Sequence, residues 1–283
     1  MKTPFVKFQA VGNDFVLLDE REVGEREWSA LALRMCDRHF GVGGDGLLVV
    51  SKSRVADFRY RMFNPDGTED ACGNGLRCVV KYWLESRAHG LKTGRARLRV
   101  EQRPGVTPAS AILKNGVVRS VTASMGKASF DPKAIPLARD RELVDEEVTI
   151  GGETLRMTCV LTGSVHTVIF VDRSPLQSPV PRISPTIETH PLFPERTNVM
   201  WTHVRTRSRL EVGIWERGAG ETLGCGTGAC AVAAVAHRLG LTGRKVRITS
   251  RGGQLQVECQ PSGALLLTGE AVEVFRGLWE GQG

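Results

Sequence analysis

Along most of the chain, apolar residues either alternate with polar ones or run in short blocks bounded by Gly, Asp or Pro, a pattern of strands more than of helices. In the first half it predicts strands at 15–18, 46–50, 58–63, 98–101 and 117–125. In the second half it predicts them at 147–150, 165–171, 210–215, 245–249, 254–259 and 264–269. Helical spacing predicts only three helices, over 27–36, about 76–86 and about 228–239. The Pro-rich stretch 172–197 fits neither pattern and is expected to wrap the surface with at most a short turn of helix. Each half is therefore strand-rich with one long helix late in it, and the halves divide as 1–124 and 125–270.

Length and composition agree with this division. A chain of 283 residues exceeds the size at which single cores divide in two, and 41% hydrophobic with 24% charged residues is the make-up of a globular protein. The N-terminal residues lack the apolar core of a signal peptide, and the longest apolar stretch, 229–236, is too short to span a bilayer. A cytoplasmic protein with no membrane partner is expected. A net charge of +7 raises the question of nucleic acid, but the 38 basic residues are scattered among 31 acidic ones, so none is expected. The excess of positive charge instead favours a small anionic substrate. Seven cysteines, an odd number without secretory features, argue for thiols over a disulfide framework.

The most informative pattern occurs twice. Cys72-Gly73-Asn74-Gly75 and Cys225-Gly226-Thr227-Gly228 each open one of the two clearest helices, once per half, which suggests an internal duplication with matching sites. A helix N-terminus presents unpaired N–H groups and positive partial charge, so such a turn can hold a carboxylate and depress the pKa of a thiol placed there. Two such turns could bind an amino acid's α-carboxylate while one thiolate removes the α-proton and the other thiol returns one. Taken singly, either cysteine reads as a small buried hydrophobe and either pair of glycines as a tight turn; the repetition reverses that preference. Spacings of 72 to 78 and 225 to 230 do not match zinc pairs, so no metal site is expected, although a redox or metal-binding module is the alternative from a different class.

These motifs resemble the diaminopimelate epimerase family over nearly the whole chain. The resemblance rests on Gly12-Asn13-Asp14-Phe15, the segments 37–43 and 64–68, Cys72 to Arg77, Gly163 to His166, the segment 193–198, and Trp215 to Thr222 running into the second cysteine turn. It implies an α+β fold of two pseudo-symmetric diaminopimelate-epimerase-like domains, each a mostly antiparallel curled sheet around a central helix, with a tail, 271–283, that returns to the first. It further implies a homodimer that interconverts LL-2,6-diaminopimelate and its meso isomer, for lysine and peptidoglycan precursors, without cofactor or metal. Cys72 and Cys225 would be the acid/base thiols, and His166 and Glu216 would tune their pKa values. Gly73, Asn74, Gly226 and Thr227 would bind the reacting carboxylate. Asn13, Asn64, Asn198 and Arg217 would fix the substrate, with Arg217 on the distal carboxylate, and Glu216 would meet the amino group. From its setting alone, His166 reads as a core histidine and Arg217 as half of a surface ion pair.

Three departures from the family pattern stand out. The stretch from Asn64 to Cys72 is one residue short, with Thr68 where Ser is common. Gly46 replaces a substrate-contacting Gln. Ser164-Val165 replaces Asn-Pro before His166, so Ser164 takes the place of a substrate-binding Asn and leaves open a racemase for another amino acid. Which cysteine is the resting thiolate is also open.

Overall fold

The computed structural model describes residues 2–87, 92–103 and 105–281. The chain forms two compact units: one runs to Ala123 and takes back the chain from Thr268, and the other spans Ser124–Leu267.

In the first unit, β1 (Lys2–Ala10) and β2 (Asn13–Asp19) form a hairpin, and β2 lies parallel to β3 (Gly46–Ser51). Antiparallel to β3 runs β4 (Phe58–Phe63), which carries the short β5 (Glu69–Asp70) at its end and pairs in parallel with β6 (Gly94–Gln102). The meander continues through β7 (Gly105–Lys114) to β8 (Val117–Lys127), while the last strand of the chain, β18 (Val272–Glu280), pairs antiparallel with β1. Strands β2 and β3 are buried on both faces, which is why they read as apolar runs and not as alternation. Phe15, Leu17, Leu48 and Val50 belong to the core around the long helix α3 (Gly73–Ser86), and Val16, Leu18, Leu47 and Val49 to the core under α2 (Trp28–Met35). A one-turn helix, α1 (Glu20–Val23), follows β2.

The second unit repeats the scheme. A hairpin of β10 (Glu153–Leu161) and β11 (Val165–Phe170) is flanked by β9 (Glu146–Ile150), and β11 is parallel to β12 (Asn198–Thr206). Next come antiparallel β13 (Arg209–Glu216) with its short partner β14 (Gly220–Thr222), then parallel β15 (Lys245–Ser250) and antiparallel β16 (Gly253–Cys259); β17 (Ala264–Gly269) follows in the chain. The central helix is α5 (Gly226–Arg238), whose small residues are buried almost all round. From β1 and β10 onward the two units run through the same sequence of parallel and antiparallel pairings, as a duplication requires. The fold is α+β.

The three predicted helices are present; two of them begin a few residues earlier than predicted, at the first glycine of each cysteine turn. Several strands were not foreseen. β1 contains Pro4 and β7 contains Pro108, and each proline sits where its strand pairs on one side only, so no ladder bond is lost. The segment 172–197 corrects its expectation as a surface wrap. Its short helix α4 (Ser184–Glu188) carries Pro185 in its first turn, and Ile183, Ile187 and Phe193 enter the core of the second unit. Residues 183 and 187 are one helical turn apart, which gives even this short helix an apolar face.

Candidate active site

Both cysteines are helix N-caps with nearly the same backbone, φ −136° and ψ 119° at Cys72, φ −129° and ψ 119° at Cys225. Each sulfur accepts the N–H of the residue three further on, from Gly75 at 3.5 Å and from Gly228 at 3.3 Å. These are the bonds an N-cap oxygen would make. Gly73 and Gly226 stand at the first helical position. Gly75 and Gly228 are required by what lies under them, because a Cβ at Gly75 would sit 2.9 Å from Leu48 and from the Tyr60 hydroxyl, and one at Gly228 would sit 2.7 Å from Met200. Tyr60, which sequence reasoning passed over, clamps the first turn: its hydroxyl accepts the N–H of Cys72 (3.2 Å) and donates to its carbonyl (3.0 Å).

In the first unit the structure brings Asn13 to Cys72 and Asn74. Asn74 Nδ2 donates to Asn13 Oδ1 at 3.2 Å, and the Cys72 sulfur lies 3.8 Å from the same oxygen. Asn64, just past β4, is engaged elsewhere, donating to the Thr68 hydroxyl at 3.0 Å while its backbone N–H meets the Thr68 carbonyl. The Thr68 hydroxyl also donates to Asp66, so the Ser-to-Thr departure keeps a working hydroxyl in the shortened loop. At Gly46 a Cβ would lie 2.8 Å from Met62 and 3.0 Å from the Phe63 carbonyl, so a longer side chain has no room without rearrangement.

In the second unit Asn198 gathers two other predicted positions, Ser164 and Arg217. Its Nδ2 donates to Ser164 Oγ (3.0 Å) and to the Val165 carbonyl (2.8 Å), and its Oδ1 accepts the N–H of Arg217 (2.9 Å). Thr162 ties the same turn to the second cysteine helix through the Thr227 carbonyl, at 2.9 Å. The exposed Arg217 guanidinium donates one arm to the Glu195 carbonyl. Behind it, the buried Glu188 of α4 accepts from Trp215 Nε1 (2.7 Å) and from the Gly218 N–H (2.9 Å), gripping the chain on both sides of Glu216 and Arg217. Ser164 offers Asn198 an oxygen where an Asn would offer an amide. In the substrate-binding place that the resemblance implies for this position, the amide would add about one neutral hydrogen bond, so Ser164→Asn is expected to raise kcat/KM on the substrate implied by the resemblance by roughly two- to tenfold. Steady-state kinetics check this, and a wild-type preference for another amino acid would mark Ser164 as a change of substrate.

The electrostatics correct one expectation. Burial pushes the Cys225 thiol well above its usual value, and the Glu216 carboxylate adds to this; the Thr227 hydroxyl at 3.3 Å and the Gly228 N–H pull the other way and do not prevail. The helix terminus therefore does not make Cys225 a thiolate at neutral pH. Glu216 itself accepts from the Thr222 hydroxyl at 2.6 Å. His166 is fully buried, and burial, with the Arg217 charge second, lowers its pKa to about 3, so it is a neutral imidazole. Neither of its ring nitrogens has a hydrogen-bond partner among the described residues. Cys78 and Cys159 are buried thiols pushed up to about 12 by desolvation, unsuited to proton transfer. Because a neighbouring negative charge raises a thiol's pKa, Glu216→Gln should lower that of Cys225 and speed its alkylation by iodoacetamide at fixed pH. Peptide mass spectrometry reads the rate; an unchanged or slower rate would contradict the coupling.

Among the described residues there is no cluster of three or more His, Cys, Asp or Glu arranged to hold a metal, and no helix is long and apolar enough to cross a membrane.

One strand order used twice, each time around one long helix, is a fold that this chain shares with solved structures at low sequence identity. A hydroxyproline epimerase from Agrobacterium vitis is 16% identical with a TM-score of 0.69, over 98% of this chain and 92% of that one. A Bacillus anthracis phenazine biosynthesis protein of the PhzF family is 18% identical with a TM-score of 0.71, over 99% of both chains. Sequence narrows the class further. The family model described as Diaminopimelate epimerase matches residues 5–130 and 158–274, and the diaminopimelate epimerase of Moorella thermoacetica is 44% identical over 277 residues, 96% of this chain and 98% of its own. The chain belongs to the diaminopimelate epimerase family.

Proposed function

We infer that this isomerase interconverts LL-2,6-diaminopimelate and the meso isomer, and we propose that Cys72 and Cys225 carry the proton away from and back to the α-carbon. The observation that supports this reading most is the recurrence of one cysteine N-cap turn, once in each unit, in a chain of this family. Inversion needs a base on one face of the carbon and an acid on the other. The N–H groups at Gly73, Asn74, Gly226 and Thr227 would receive the α-carboxylate and the charge that grows on it as the proton leaves. Arg217 would take the distal carboxylate through its planar fork, and Asn13, Asn64, Ser164 and Asn198 would fix the rest of the substrate.

The raised pKa of Cys225 supports a resting thiol there, so Cys225 acts as acid and Cys72 as base in one direction. In the reverse direction Cys225 must give up its proton. Pairing of Glu216 with the substrate ammonium would help by cancelling the negative charge that holds the thiol protonated. No cofactor is needed in this scheme. The proposal extends to a homodimer acting in the cytoplasm on a small-molecule substrate, without nucleic-acid or membrane partners, in lysine and peptidoglycan precursor biosynthesis, and to the two units as its domains. Protein dialysed against EDTA and treated with hydroxylamine should convert LL-diaminopimelate to the meso isomer at the untreated rate, read by chiral chromatography. Loss of conversion restored by a metal or by pyridoxal phosphate would contradict it.

A further inference from the structure

The two asparagines beside Cys72 lie in a hydrogen-bonded chain with a forced direction. Arg77 Nη2 donates to Asn74 Oδ1 at 2.6 Å, Asn74 Nδ2 donates to Asn13 Oδ1 at 3.2 Å, and Asn13 Nδ2 donates to Asp45 Oδ2 at 2.6 Å. A carboxamide has two nearly isosteric ends, one donor and one acceptor, and rotation by half a turn exchanges them at little intrinsic cost. The ends of this chain have no such freedom. The guanidinium of Arg77 can only donate, so Asn74 must present its oxygen to it. Asn74 then offers its NH₂ to Asn13, which must answer with its oxygen. The NH₂ of Asn13 is left for Asp45, and an ionised carboxylate can only accept. Reversing either amide would set NH₂ against guanidinium or oxygen against carboxylate.

Both anchors are themselves held. Arg77 is 1% exposed and donates also to the carbonyls of Gly73 (3.3 Å) and Glu270 (3.4 Å). Asp45 receives Arg38 Nη2 at 2.7 Å and the Asp14 N–H at 3.1 Å. Asp14 in turn pairs with Arg38 and with Lys7, which also reaches the Gly43 carbonyl. The consequence falls on the cysteine, because the group of Asn13 that faces Cys72 is its oxygen, an acceptor for the S–H, and not its NH₂.

We propose that Asp45 is a positioning residue for the reaction: with Arg77 at the opposite end, it fixes the amide orientation of Asn13 and Asn74 and so keeps an acceptor, never a donor, against Cys72. This rests on the reading of Cys72, Asn13 and Asn74 as parts of the reaction site.

An exchange of partners tests it. Asn13→Asp sets two carboxylates against one another and should cut kcat/KM on LL-diaminopimelate by about a hundredfold or more while lowering Tm. Asp45→Asn alone releases Asn13 from its fixed orientation and should cost about tenfold, carried mainly by KM. In the double variant Asn13→Asp with Asp45→Asn, the amide introduced at position 45 can donate to the carboxylate introduced at position 13, whose other oxygen still accepts from Asn74, and the net charge is that of the wild type. The double variant should therefore recover at least about tenfold in kcat/KM over Asn13→Asp, and most of its Tm. The pH profile of Asp45→Asn should also move downward, since an Asn13 free to turn its NH₂ toward Cys72 favours the thiolate, a shift that a merely structural role would not produce. A double variant no better than Asn13→Asp, with losses that simply add, would overturn the proposal. The Tm comparison needs no substrate: an inactive wild type would count against the proposed function, while recovery of Tm would still report the directed chain.

Discussion

Cys72→Ala and Cys225→Ala should each lose at least about 10³-fold in the rate of LL-to-meso conversion, because in the proposed mechanism each removes the only proton carrier for one face of the α-carbon. The two losses should differ in kind. A single remaining thiol can still remove and return a proton on its own face, so each variant should exchange the α-hydrogen of one stereochemical configuration with solvent slowly and with retention. The two variants should differ in which configuration they label. Chiral analysis combined with mass spectrometry of substrate recovered from D₂O separates these outcomes. Substantial inversion by both single variants would remove the two-base mechanism. Neither substitution should disturb folding severely, since the N–H groups of Gly75 and Gly228 lose a weak sulfur acceptor at helix ends and not a bond within a core.

Arg217→Met should weaken kcat/KM by about 10²-fold, with KM rising more than kcat falls. A bidentate guanidinium–carboxylate contact contributes about 1.5–3 kcal/mol per charged hydrogen bond, and 1.4 kcal/mol is a factor of ten. The guanidinium is exposed and bonded by one arm to the Glu195 carbonyl, while its backbone N–H is held by Asn198 Oδ1, so the substitution removes the charge and leaves the main chain anchored. The same variant takes away a positive charge that helps to hold the pKa of His166 down, although burial remains the larger cause. Steady-state kinetics on LL-diaminopimelate would decide the matter. A change confined to kcat would indicate that Arg217 acts on the reacting centre and not on the distal carboxylate.

Much of this architecture was legible because it is local. A Cys-Gly-x-Gly turn opening an apolar helix is written in adjacent residues, and it returned as two N-caps with matching dihedral angles. Strands with clear alternation, or apolar on both faces, were found near their places. Those missed were β1 and β7, whose prolines argue against a strand unless it is known that the strand pairs on one side there, β18, whose apolar residues are largely exposed, β10 and β12, and the very short β5 and β14. The supports of the site were illegible for a different reason. Tyr60 lies 12 residues before Cys72, Asp45 lies 32 after Asn13, and Glu188 lies 27 before Trp215, so each contact exists only once the sheet has closed. Arg77 was nearer to hand, three positions after Asn74 on the same helix face, a spacing at which side chains meet. The raised pKa of Cys225 reversed a local argument, because helix-terminal stabilisation of a thiolate was outweighed by burial and by Glu216.

If one chain inverts an α-carbon by exchanging its proton through two thiols, incubation of the purified protein with LL-diaminopimelate in D₂O reads the exchange itself. The α-proton signal of the substrate should disappear while the meso isomer forms, with deuterium at the inverted carbon from the first turnovers, and alkylation of the thiols should stop both processes together. Formation of the meso isomer with the original α-proton retained through many turnovers, or no exchange with any amino acid, would contradict this mechanism.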